Sequence, residues 1–129
     1  MNYVLMSTYN GEKYITEQLD SIANQKWFSQ CNIIVRDDGS TDKTIEILLD
    51  KKTEYKKLNI ELTIIEGENV GVIESFHILC RSLNVEQNDM IFLSDQDDVW
   101  LSDRYERISS IFDDSNIDLY CSTLTLVNY

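Results

Sequence analysis

Short apolar runs alternate along the chain with stretches in which apolar residues recur every three or four positions. Five runs read as strands, at residues 2–7, 31–36, 60–66, 90–94 and 118–127, all rich in Val, Ile, Leu or Phe. The shorter ones are apolar on both faces, as a strand in a sheet covered on both sides must be. Four helices are predicted between them. The first follows Asn10 as its N-cap and sets Ile15, Leu19 and Ile22 on one stripe. The second opens at Ser40 or Thr41, carries Asp42 in its first turn and buries Ile45, Leu48 and Leu49. The third runs from about Val72 to Leu83 with Ile73, Phe76, Leu79, Cys80 and Leu83 at helical spacing. The fourth starts after Ser102 and carries Tyr105, Ile108 and Phe112. These assignments rest on cap chemistry and the 3.6-residue period.

Repeated strand–helix–strand units with right-handed crossovers give an open, mostly parallel α/β sheet with helices on both faces. Ligands of such sheets bind beyond the carboxyl ends of the strands, so the polar residues just past those ends are the ones to inspect.

Four strand ends carry polar clusters: Ser7-Thr8-Tyr9-Asn10-Gly11-Glu12, Arg36-Asp37-Asp38-Gly39-Ser40-Thr41-Asp42, Glu66-Gly67-Glu68-Asn69-Val70-Gly71 and Ser94-Asp95-Gln96-Asp97-Asp98. The second is also ordinary turn chemistry leading into a helix, and Asn-x-Gly is a common turn. The last is harder to explain that way. Its three carboxylates within four residues repel one another unless solvent or a cation compensates. Oxygen ligands of this kind suit Mg²⁺ or Mn²⁺, with phosphate oxygens completing the shell.

Composition narrows the function. The 129 residues fit one domain, and 43% hydrophobic with 26% charged residues is ordinary for a soluble globular chain. No window reaches the roughly 18 uninterrupted apolar residues of a membrane span. The run Tyr3-Val4-Leu5-Met6 follows Met1 directly, leaving no room for a signal peptide, so a cytoplasmic location is expected. A net charge of −12 argues against a nucleic-acid partner. It also repels a nucleoside diphosphate unless a divalent cation sits between carboxylates and phosphates. Cys31, Cys80 and Cys121 are widely spaced in apolar runs and are expected to be buried free thiols. With His77 the only histidine, a structural zinc site is not expected.

Taken in order, the four clusters resemble the motifs of family 2 inverting glycosyltransferases of the GT-A fold, a Rossmann-like sheet. The resemblance covers residues 2 to about 107, and Asp95-Gln96-Asp97-Asp98-Val99-Trp100 is similar to rhamnosyltransferase-like bacterial members that build cell-surface polysaccharide. It implies a nucleotide-sugar donor, UDP- or dTDP-linked, and a saccharide or lipid-linked acceptor. Thr8 and Tyr9 would pack around the nucleoside, and Asp38 would accept a hydrogen bond from the pyrimidine imide N–H. Glu12 would support the base or the first loop. Asp95 would face the ribose or the metal, and Asp97 would ligate Mn²⁺ or Mg²⁺ directly. Asp98, Trp100 and the pair Asp103-Arg104 would shape the donor-sugar side.

Two departures stand out. Many relatives carry Arg-Asn where this chain has Phe76-His77, so no arginine contact with the nucleotide carries over, and His77 is read as an exposed helix residue. The family's catalytic base also lies beyond the fifth strand, past Tyr129, with the acceptor-binding region after it. The chain is therefore expected to be a truncated GT-A domain, its nucleotide-sugar-binding portion, which binds donor with little or no transfer. Attachment to the inner face of the membrane and homo-oligomer formation remain open readings.

Rival classes fit less well. An EF-hand starting at Asp95 would place Val99 and Trp100 where a ligand and the glycine are required. A nucleotidyltransferase would open with a Gly-rich basic loop, whereas Ser7 to Glu12 has one glycine and only Lys13 nearby. A phosphoacceptor receiver domain would need a lysine on a later strand, and none is present there.

Overall fold

The computed structural model describes residues 1–27, 29–58, 60–113 and 117–122. The elements run β1 (Asn2–Thr8), α1 (Ile15–Ala23), β2 (Cys31–Asp37), α2 (Thr44–Lys56), β3 (Glu61–Glu66), α3 (Val72–Arg81), β4 (Met90–Ser94) and α4 (Arg104–Asp113). The four strands form one all-parallel sheet in the order β3-β2-β1-β4. The predicted α/β architecture is the observed one. Half of the expected fifth strand, 123–127 of 118–127, lies outside the described residues, and 118–122 carry no strand.

The order explains where the helices go. From β1 through β2 to β3 the chain moves one way across the sheet, then jumps back to place β4 on the far side of β1. A right-handed crossover keeps its hand in both directions, so the reversal moves the connecting helix to the other face. The core divides accordingly. On one face Val4, Met6, Ile33, Val35, Leu62 and Phe92 pack against α1, α2 and α4. On the other, Leu5 and Ile34 pack against Leu79 of α3, flanked by Phe76 and Leu83. On that second face the edge strand β4 is left open, with Ile91 and Leu93 46% and 59% exposed.

Several helix details differ from expectation. Asn10 does not cap α1, which starts at Ile15; its backbone turns through φ 49° and its carboxamide accepts the Thr41 N–H at 2.8 Å. The second helix starts at Thr44 rather than Ser40 or Thr41, because Asp42 accepts the Thr44 N–H at 3.0 Å and holds a turn ahead of it. Leu48 is fully buried, but Leu49 lies on the outer side, and Tyr55 fills the helix's inner end. On α3, Ile73 and Cys80 face outward, and Ser75 takes the buried place beside Leu79. Of the three cysteines, all free, only Cys31 is buried; Cys80 and Cys121 are exposed. Burial pushes the Cys31 thiol up to about 12, so it stays protonated.

Candidate functional site

The carboxyl ends of β1, β2 and β4 converge on a cleft of about 280 Å³ lined by Ser7, Tyr9, Asp38, Asn69, Asp95 and Asp97, among others. It lies where the strand order reverses between β1 and β4, the place an open α/β sheet offers a ligand.

Its floor is built from β2. Arg36 sits in register with Ser7 of β1, and both turn toward α3. The guanidinium donates to the Asp38 carboxylate, to Ser75 Oγ at 3.1 Å and to the Glu68 carbonyl at 3.0 Å. Ser7 Oγ donates to Ser75 Oγ at 2.7 Å. Both partners of the Arg36–Asp38 ion pair have side chains only 4% exposed. Asp38 Oδ1 also accepts the Val70 N–H and Oδ2 the Gly71 N–H, each at 2.9 Å. Burial alone would raise the Asp38 pKa, but these backbone donors and Arg36 outweigh it and hold the carboxyl below the usual aspartate value. The Asn-x-Gly turn therefore has a definite task. Gly71, at φ 85°, bends the chain so that two successive N–H groups face one carboxylate.

Asp37 plays a local part. Its Oδ1 accepts the Gly39 and Ser40 N–H groups at 3.1 and 2.8 Å, an Asx turn that aims the loop away from the sheet. The first two loops are then stitched together. Asn10 N–H donates to Ser40 Oγ, Gly11 N–H to Thr44 Oγ1 and Glu12 N–H to Asp42 Oδ2. In return the Glu12 carboxylate accepts the Lys43 N–H at 3.0 Å. Glu12 is spent on loop support at the amino end of α2 and does not line the cleft.

The rim belongs to β4. Gln96 turns inward between the two acids: its Oε1 accepts Thr8 Oγ1–H at 2.7 Å and the Tyr9 N–H at 3.0 Å, and its Nε2 donates to the Tyr9 carbonyl. Space for it exists because residue 11 is glycine, where a Cβ would lie 2.5 Å from Gln96 Oε1. Thr8 is buried, and Tyr9, 47% exposed, lines the cleft. Asp95 and Asp97 flank the anchored Gln96, face the cleft, and have no hydrogen bond from a described residue to their carboxylates. Behind them, burial together with the charges of Asp95 and Asp97 pushes the Asp98 carboxyl up, against the opposing pull of Arg104. Asp95 and Asp97 themselves have no ion-pair partner among the described residues.

Those open carboxylates bear on whether a divalent cation fits. Among the described residues no three His, Cys, Asp or Glu side chains are grouped to hold a metal by themselves. Two carboxylates with free lone pairs beside a phosphate-sized space are nonetheless the set that Mg²⁺ or Mn²⁺ shares with a diphosphate. The residues fit such an ion.

Trp100 is a correction. Expected on the donor-sugar side, it is 5% exposed and packs in the core with Phe92 at 5.6 Å and Trp27 at 6.4 Å between centroids. Arg104 covers its ring at 4.8 Å, so neither lines the cleft. His77 is exposed on α3 beside Glu74, as anticipated. Sequence reasoning passed over Arg36 and Ser75 as site components. A signal was available: a lone arginine directly after the apolar run Ile33-Ile34-Val35, two residues before an aspartate on the same strand side.

The comparisons agree with this geometry. A dTDP-rhamnosyl transferase, RfbG of Shigella flexneri, is 34% identical over 92% of this chain and 40% of its own length. The crystal structure of Staphylococcus aureus TarS 1-349 in complex with UDP-GlcNAc superposes with a TM-score of 0.71 at 27% identity, over 87% of this chain and 31% of that one. A mannosyltransferase from Pyrobaculum calidifontis, solved with GDP-Man and Mn²⁺, shares the fold, with a TM-score of 0.74 at 23% identity over 90% of this chain and 33% of that one. The chain thus spans less than half the length of the relatives it matches. The sequence model of glycosyl transferase family 2 matches residues 3–129, and with the cleft, the sheet order and the four strand-end clusters in agreement, the chain belongs to that family.

Proposed function

We propose that this cleft binds the nucleoside diphosphate part of a UDP- or dTDP-linked sugar, with Mn²⁺ or Mg²⁺ between the diphosphate and Asp95 and Asp97. The observation that carries this reading is the pair of unpartnered carboxylates facing the same cleft as the buried, anionic Asp38. An acidic chain of net charge −12 needs a cation to hold a diphosphate, and it concentrates free carboxylates where one would sit. The UDP-GlcNAc bound by TarS and the rhamnosyl donor in the name of RfbG support this donor class.

The residues divide the work. Asp38 keeps an acceptor position on Oδ2 for a base N–H, Tyr9 offers a ring beside the nucleoside, and Thr8 and Gln96 fix the loop that carries Tyr9. Asp98, next to Asp97, would face the donor-sugar side, whereas Arg104 acts on it only through its charge from over the Trp100 ring. A bound divalent cation would supply electrostatic stabilisation of the departing nucleoside diphosphate. The protein of which this domain is characteristic would then pass the sugar to a saccharide or lipid-linked acceptor hydroxyl at the cytoplasmic membrane face, an incoming carboxylate base taking the proton. Isothermal titration of the folded 129-residue chain with UDP and dTDP, with Mn²⁺ and then with EDTA, tests the reading. Cation-dependent binding is expected; no heat with either nucleotide in Mn²⁺ sinks it.

A further inference from the structure

We propose that Arg36 is a positioning residue for base selection: it saturates one oxygen of Asp38 from behind and leaves the other as a single acceptor facing the cleft. The inference rests on the donor-site reading above and extends it to a residue that does not touch the ligand.

Arg36 is 3% exposed and is not part of the cleft lining. Its fork spans two directions. One arm reaches Asp38 Oδ1 and Ser75 Oγ, and the other reaches the Glu68 carbonyl on the loop after β3. A lysine ammonium is one compact point and cannot hold a carboxylate and a carbonyl on opposite sides at once. The surroundings are shaped for this fork. A Cβ at residue 67 would lie 2.4 Å from Arg36 Nη2, so Gly67 leaves the room that arm occupies. Ser75, fully buried in the first turns of α3, holds the other arm and is itself held by Ser7.

The consequence follows from counting acceptor positions. Oδ1 already takes Arg36 and the Val70 N–H, whereas Oδ2 takes only the Gly71 N–H. One acceptor position remains, and it belongs to an ionised carboxylate that cannot donate. A base is accepted there if it presents an N–H, as the imide of uracil or thymine does. Cytosine presents a ring nitrogen lone pair at that position, and two acceptors facing each other in a partly dry site are repulsive. Without the guanidinium, Asp38 keeps only its two backbone donors, Oδ1 gains an open acceptor position, and the selection weakens.

The test compares UDP, CDP and base-free pyrophosphate, each with Mn²⁺, by isothermal titration of the 129-residue chain and its Arg36→Met, Arg36→Lys and Ser75→Ala variants. Folding of each is followed by thermal unfolding. The wild-type chain should prefer UDP to CDP. Arg36→Met should weaken UDP about tenfold, the size of one charge-assisted hydrogen bond, and leave pyrophosphate unchanged. Arg36→Lys should recover part of the preference. If Arg36→Met does not fold, because Asp38 is left as a buried uncompensated charge, Arg36→Lys and Ser75→Ala carry the test through a reduced UDP-to-CDP ratio. An unchanged ratio in the folded variants, or equal loss of UDP and pyrophosphate, overturns the positioning role while the donor site stands. Failure of the wild-type chain to bind UDP overturns both.

Discussion

Replacing Gln96 by alanine should disconnect the acidic rim from the rest of the site, because this one side chain ties it to the end of β1. The hydroxyl of Thr8, in a residue 1% exposed, loses its one acceptor among the described residues, and a buried donor left unpaired costs about 1–3 kcal/mol. The Tyr9 N–H and carbonyl also lose their partner, but Tyr9 is 47% exposed, so water replaces most of that interaction. The net cost should be about 2 kcal/mol, or about 6–10 °C in Tm for a domain of this length. Gly11 sharpens the expectation, since the space Gln96 vacates beside it is too polar to collapse apolar groups into. Asp95 and Asp97 would then be carried on an untethered loop, and ordering it on binding should weaken Mn²⁺–UDP about tenfold. Calorimetric unfolding and isothermal titration on the same preparation decide the matter. A Tm within about 2 °C of the wild-type chain together with unaltered UDP affinity would refute the anchoring role.

Other perturbations separate binding from scaffolding. Asp95→Asn with Asp97→Asn should abolish the Mn²⁺ dependence of UDP binding without lowering Tm, since like-charge repulsion is relieved; titration in Mn²⁺ against EDTA reads this. Glu12→Ala should cost about 1 kcal/mol of stability through the lost Lys43 N–H acceptor, with UDP affinity unchanged, as measured by urea unfolding beside titration. Because Asp38 is held below its ordinary value of 3.8, its contribution to folding is complete above that value and is lost as pH falls through the lower folded value. The stability gap between the wild-type chain and Asp38→Asn, followed by urea unfolding, should thus be flat from about pH 7 to 5 and shrink below about pH 4.

The strands were legible because a parallel strand covered on both faces leaves little doubt: Val4-Leu5-Met6 and Ile33-Ile34-Val35 admit no amphipathic alternative, and their predicted bounds fall within a residue of those observed. Helix starts were less legible for a physical reason. Asn10, Ser40 and Asp42 are all good caps by type, but their side chains are engaged between loops as well as within them. Asn10 serves Thr41, Ser40 serves Asn10 N–H, and only Asp42 both holds the turn ahead of its own helix and reaches the neighbouring loop. Such pairings join residues about thirty positions apart, and local propensity does not report them. Trp100 misled for a related reason. It follows the acids in sequence, but after the turn its ring enters the aromatic cluster of Trp27, Phe92 and Tyr105. Neighbours in a motif need not share a cavity. Asp38, Asp95 and Asp97, by contrast, sit just past the ends of strands that the sequence predicts, and the sheet itself brings them to one cleft.

The cleft handles its carboxylates in two opposite ways, and the difference marks what each can recognise. Asp38 is buried, matched by Arg36 and two backbone N–H groups, and so keeps its charge and direction whether or not a ligand is present. Such a group suits a neutral, directional partner such as a base N–H, because little reorganisation remains to be done on binding. Asp95 and Asp97 are exposed and unmatched, and their charges add to the burial that raises Asp98. A group of that kind gains most from a partner that brings positive charge. An acidic surface of net charge −12 would turn a bare diphosphate away at this rim, whereas a cation–diphosphate unit meets carboxylates that no protein group has neutralised. Exchanging the two environments, with a matched rim and an unmatched floor, would bind neither end of a nucleotide well. On the proposed reading, the placement of the buried arginine at the floor, away from the rim, would let one acidic cleft hold both an uncharged base and a charged diphosphate.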